Sequence, residues 1–204
     1  MIQPIKVFKE KKGKKILRIF VDEDGSESPR EWDNIGKMVC FHRRYNLGDK
    51  TDLKPENFNG WDELKQFLIK ERNAVKICSL YLYDHSGLRI KIGSFQGLLP
   101  QGHAEFDTSQ IGFIYIDKET MVQEKLNDKK MNEVLMNEVK TYDEYLNGDV
   151  YGFELVEPKK CKTCGNVEEK MINSVWGFYG SDFEENGLFE STGIDKNKFV
   201  EVEQ

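Results

Sequence analysis

Five residues carry the most specific local chemistry in the chain: Cys161-Lys162-Thr163-Cys164-Gly165. Two thiolates at this spacing, followed by glycine, have the form of half a zinc ribbon, in which the turn aims both sulfurs at one metal and glycine permits the reversal. A closed tetrahedral site needs two more ligands. Cys40 and His42 are alternate residues of an apolar run; on one strand they would point the same way and complete a set of three cysteines and one histidine. A redox role is disfavoured, because thioredoxin-type pairs sit at a helix N-terminus that depresses a thiol pKa, whereas this pair falls between two strand-like runs. The expectation is therefore a pair of reduced thiols on a surface loop and no bound cofactor. Zinc on Cys161 and Cys164, with the third and fourth ligands from Cys40 and His42 or from a second chain, is the alternative.

Asp84-His85-Ser86 contains the residue types of a hydrolase triad, but adjacent residues cannot form the relay, which brings its groups together from separate parts of a chain. His85 could act singly with Asp107 or His103, as an acid-base group or in a metal-dependent enzyme, and otherwise it is a turn histidine. No glycine cluster has the spacing of a phosphate-binding loop before a helix. Arg43, Arg44 and Tyr45 interleave basic and aromatic side chains, a pattern that can hold nucleic acid together with the Lys-rich N-terminal segment. Asp182, Glu184, Glu185 and Glu190 form an acidic run that could compete with phosphates for basic side chains on a partner.

The elements that must position these residues follow from apolar spacing. Residues 1–22 predict a basic hairpin, with lysines near Gly13 solvating an edge. Residues 22–59 predict a packed loop anchored by Trp32, Phe41, Tyr45 and Phe58. A helix is expected from Gly60-Trp61 to about Arg72, with Asp62 and Glu63 in its first turn, and a hairpin over 75–83 and 88–92. A buried strand is expected at 111–116 and a short helical stretch from Lys118. Met131, Leu135, Val139, Tyr142 and Leu146 recur at steps of three and four, predicting an amphipathic helix over 128–146 that Asn147-Gly148 ends. Strands at 151–156 and 171–179 flank the cysteine loop at 157–170, and an acidic segment at 181–204 begins with a short helix capped by Ser181 or Asp182. The fold class is α+β: a single domain over 1–204, an antiparallel sheet of hairpins packed against two main helices. Trp32, Trp176, Phe178 and Tyr179 are expected in the core.

The chain has 204 residues, 38% hydrophobic and 12% aromatic, enough large rings to bury a core. No stretch has the roughly 18 to 20 apolar residues of a membrane span, and the first residues lack the apolar centre of a secretory signal, so a cytoplasmic protein with reduced cysteines is expected. Residues 1–20 hold seven basic and one acidic side chain, and residues 101–204 eleven basic and twenty-two acidic. That asymmetry predicts a basic front and an acidic second half.

Five runs, SPREWDNIGKMVCFHRRYNLGD, LYLYDHSG, SQIGFIYI, EVKTYDEYLNGDVYGF and SVWGFYGSD, together resemble a family of small proteins encoded by bacteriophages and related mobile elements. The Phe106-Asp107-Thr108 stretch and the cysteine loop depart from the family pattern. The resemblance brings no reaction. It implies a setting in the host bacterial cytoplasm and a non-enzymatic accessory protein that binds and inhibits a host defence protein or nuclease complex, of the anti-CRISPR or antirestriction type. Asp182, Glu184, Glu185, Glu190, Arg43, Arg44, Tyr45, Asp84 and His85 are its candidate contact residues.

Overall fold

Apolar residues at alternate positions build the first hairpin. β1 (Lys6–Glu10) and β2 (Ile16–Val21) pair antiparallel with Phe8 opposite Leu17; Phe8, Leu17 and Ile19 are buried, while the turn lysines are exposed. The structure, a computed structural model, describes residues 3–23, 27–85, 87–99 and 107–203. Ser86 and His103 lie outside the described residues. The chain forms two compact units, one of residues 27–147 and one joining residues 1–26 to 148–204. The class is α+β, and the strands divide between two antiparallel sheets.

Residues 27–147 are a sheet with a helix on each face. After a 3-10 turn at Pro29–Glu31 come β3 (Lys37–Cys40), α1 (Trp61–Glu71), β4 (Ala74–Asp84), β5 (Leu88–Ile92), β6 (Thr108–Asp117), α2 (Lys118–Gln123) and α3 (Asp128–Asn147). The sheet order is β3-β6-β4-β5. β6 is buried from Ile111 to Asp117 because its two sides serve two cores. Ile114 and Ile116 meet Leu135, Val139 and Tyr142 of α3. Phe113 and Tyr115 meet Leu64 and Leu68 of α1. Each fully buried leucine stabilises the unit by about 1.5–3 kcal/mol relative to exposure. The apolar stripe expected on 128–146 is therefore present and covered.

The helix ends are satisfied locally. At α1 the preceding Gly60 has no side chain to cap with, and the Glu63 carboxylate instead accepts from the Asn59 backbone N–H (2.7 Å) and side-chain amide (2.9 Å), so acid in the first turn reaches back to an orphan donor. At α3, Asn127 Oδ1 accepts from Lys130 N–H at 2.9 Å.

In the other unit, β7 (Val150–Lys160), β8 (Val167–Tyr179), the short helix α4 (Leu188–Thr192) and β9 (Phe199–Val202) complete a five-stranded sheet in the order β8-β7-β2-β1-β9. Phe153, Leu155, Phe183 and Leu188 join Phe8, Leu17 and Ile19 in its core. Three expectations change here. β9 pairs with β1, so the basic hairpin is interior and the sheet edges are β8 and β9. The acidic helix begins later, at Leu188; Asp182 Oδ1 caps a turn by accepting from Glu184 and Glu185 N–H. Trp176 is 41% exposed, because it stands on the edge strand with its ring across Gly152 and 5.8 Å from the Phe20 ring; Phe178 and Tyr179 are half-buried. In the first-described unit Trp32, just past the 3-10 turn, is likewise exposed rather than core.

The basic and acidic ends of the sequence also meet within one unit. Seven basic and four acidic side chains from residues 1–26 join six basic and twelve acidic from 148–204, a net of −3. Arg18 grips Glu169 through two 2.6 Å bonds and Lys6 lies 3.2 Å from Glu201. The charge asymmetry of the sequence is thus largely neutralised in this unit.

Candidate binding groove

Within residues 27–147, the loop that follows β3 and the C-terminal half of α3 enclose an open groove of about 1550 Å3. Its frame is one buried arginine. Arg30 Nε and Nη2 donate to Asp49 (2.8 and 3.1 Å), Nη1 to Glu138 of α3 (2.9 Å) and Nη2 also to Gly36 O (2.6 Å). The carboxylates are themselves satisfied: Asp49 accepts from Met38 N–H at 2.7 Å, and Glu138 from Ile35 and Gly36 N–H at 2.9 and 3.0 Å. Burial acts to lower the Arg30 pKa, but the bonds to Asp49 and Glu138 prevail and raise it, so the guanidinium stays charged. Such a network is tolerated inside a protein only when every partner is present.

Gly48 closes the frame. Its φ of +75° is open to glycine, and its N–H donates to the Tyr142 hydroxyl at 3.1 Å. Burial pushes the Tyr142 phenol up to about 12. The groove wall is aromatic. Phe41 stacks near Phe58 (6.4 Å) and Trp61 (6.2 Å), and Trp61 meets Phe113 edge-on at 6.2 Å; Phe41, Phe58 and Trp61 keep part of their surface in solvent.

Several expected residues gather at this groove. His42 stacks flat on Tyr45 at 5.0 Å, Arg44 lies over the Tyr45 ring at 5.3 Å and pairs with Asp84, and the Tyr45 hydroxyl reaches Asp84 at 3.5 Å. Arg43 on the rim is exposed. His85 pairs with Asp107, Nδ1 to Oδ2 at 3.4 Å, as a half-exposed surface pair. The acidic run lies in the other unit: Asp182 caps its turn, Glu184 pairs with Lys196, and Glu185 and Glu190 are exposed.

Within residues 27–147, Cys40 and His42 of the alternative zinc set are not aligned as the strand alternation would have it. β3 ends at Cys40, so the alternation that would align His42 with it stops there, and His42 turns to Tyr45. Burial pushes the Cys40 thiol up to about 12, opposing the thiolate a metal needs. Among the described residues no group of three or more His, Cys, Asp or Glu could hold a metal ion. Cys161 is half-buried, and the N–H groups of Cys164 and Thr163, with the Cys164 thiol, bring its pKa down to about 7.

Sequence reasoning missed Arg30, Asp49, Glu138 and Trp61 as site residues. The available signal was a charged residue on the otherwise apolar-facing side of a helix: Glu138 adjoins Val139, one turn from Leu135. Scans of the chain against family models, curated proteins and solved structures find no match. No described helix is long and apolar enough to cross a membrane.

Proposed function

We propose that this is a non-enzymatic accessory protein of a phage or mobile element that binds and inhibits a host defence protein or nuclease complex in the bacterial cytoplasm, and that its contact surface is the groove of residues 27–147. One observation carries the placement. Runs that resemble the phage family, distant in sequence, supply the frame together: Arg30, Tyr45 and Asp49 from the first, Asp84 from the second, Glu138 and Tyr142 from the fourth. The polar groups there are committed to holding the loop in shape, and partly exposed aromatic rings with an arginine on the rim are what protein interfaces use as anchors. The acidic run of 182–190 is the weaker surface, since two of its carboxylates serve local structure.

A second reading, nucleic-acid binding through Arg43, Arg44 and Tyr45, is favoured by the stacking of Arg44 and His42 on Tyr45. It is opposed by Asp84, which neutralises Arg44, and by Glu27 and Glu31 on the same groove. Inhibition assays with purified restriction and CRISPR nucleases decide between them, comparing wild type with Arg43→Glu and Trp61→Ala. The proposal expects inhibition of one nuclease that either variant weakens by about tenfold or more, the loss of one interface anchor. Absence of inhibition across the set, with binding of single-stranded nucleic acid that falls steeply with salt, would replace it by the second reading.

A further inference from the structure

The cysteine turn sits at the end of an arm. β2 runs beside β7 only as far as the pair Ile16 and Val156, yet β7 and β8 continue to pair through Lys160 and Val167. The last rungs, Glu157–Lys160 against Val167–Lys170, are two-stranded, and residues 162–172 are exposed. The arm ends in a tight turn. Cys161 N–H donates to Asn166 O at 2.7 Å, Gly165 N–H donates to Cys161 O at 3.0 Å, and Gly165 holds φ +79°. The two cysteines flank that reversal, with Lys162 and Thr163 between them.

This is the form of a metal knuckle: two cysteines three positions apart in a tight turn, with a left-handed glycine directly after the second to reverse the chain. A structural zinc site is closed by four ligands, and the knuckle offers two. The arm presents them beyond the sheet, where a second arm can approach. Val167, 64% exposed beside the turn, would be covered by such an approach. Four thiolates around a dication leave a net negative centre, and Lys160 and Lys162, the sequence neighbours of Cys161, carry charge of the opposite sign.

We propose that Cys161 and Cys164 form a zinc half-site and that two copies of the chain meet arm to arm to complete a four-thiolate centre. The metal replaces the two thiol protons of each copy, which pass to solvent, and no oxidation occurs. Full-length protein prepared with reductant and without chelator tests this by elemental analysis and sedimentation. The expected result is about one zinc per two chains in a dimer that a chelator returns to monomer, with cobalt giving the absorption of a tetrahedral thiolate site. Cys161→Ser and Cys164→Ser should each lose the metal and the dimer while keeping the wild-type circular dichroism. The proposal is overturned by any of three results: the reduced protein binds neither zinc nor cobalt, it binds one metal per chain as a monomer, or Cys161→Ser dimerises like wild type.

Discussion

Arg30 ties together three pieces of chain: the 3-10 turn, Asp49 in the loop after β3, and Glu138 on α3. Removing it leaves two carboxylates facing each other without their cation, so Arg30→Ala should cost about 3–5 kcal/mol in urea unfolding. Arg30→Lys should recover only part, because an ammonium cannot serve Asp49 as a fork while also reaching Glu138; full recovery by lysine would show that charge alone matters. Asp117 gives a pH-dependent counterpart. Burial pushes its pKa up, but the Lys37 ammonium and the Thr120 N–H outweigh that and hold it below its ordinary value. A lowered folded value means that the stabilisation is present above the unfolded pKa and lost as pH falls through the folded one. The stability advantage of wild type over Asp117→Asn should therefore be constant near neutrality and shrink below about pH 4; a difference independent of pH down to about 2 would contradict it. In metal-free reduced protein, Cys161 should be alkylated with a midpoint at about pH 7 while Cys40, held at about 12, stays unreacted.

At the scale of elements, α3 was legible because its apolar residues recur at a helical step, and Leu135 at the centre of that stripe is fully buried. Leu135→Ala should cost about 2–5 kcal/mol, read from the shift of the denaturation midpoint. The same alternation misplaced Trp176. Period-two spacing shows which residues share a face of a strand, and it carries no information on whether another strand lies alongside; β8 is an edge, so the ring has one covered side. Trp176→Ala should accordingly cost less than the about 3–5 kcal/mol of a buried ring. β9 was illegible for a related reason: four residues, Phe199–Val202, become a strand by pairing with β1 at the opposite end of the sequence. In the groove, the basic-aromatic run at Arg43-Arg44-Tyr45 was visible as a local pattern. The Arg30 network was not, since its partners lie 19 and 108 residues away and only the folded chain brings them together.

At the scale of the molecule, the unit of residues 27–147 is continuous and holds cores on both faces of its own sheet. Expressed by itself, that segment should fold with a single cooperative transition and disperse its amide resonances; a molten, broad spectrum would show that its packing depends on the remaining chain. The other unit is built differently, because β2 finds its neighbour β7 only after the whole of 27–147 has intervened. On the ribosome this becomes a matter of timing. At about 5–20 residues per second, β1 and β2 emerge on the order of ten seconds before β7 exists to cover them. For that interval Phe8, Leu17 and Ile19 have no core to enter, and the open side of β2 is free for any other strand. The nascent N-terminal hairpin is thus the part of this protein most dependent on a chaperone during synthesis, and a chain paused once residue 147 has cleared the ribosomal exit tunnel would carry a finished groove tethered to an unfinished sheet.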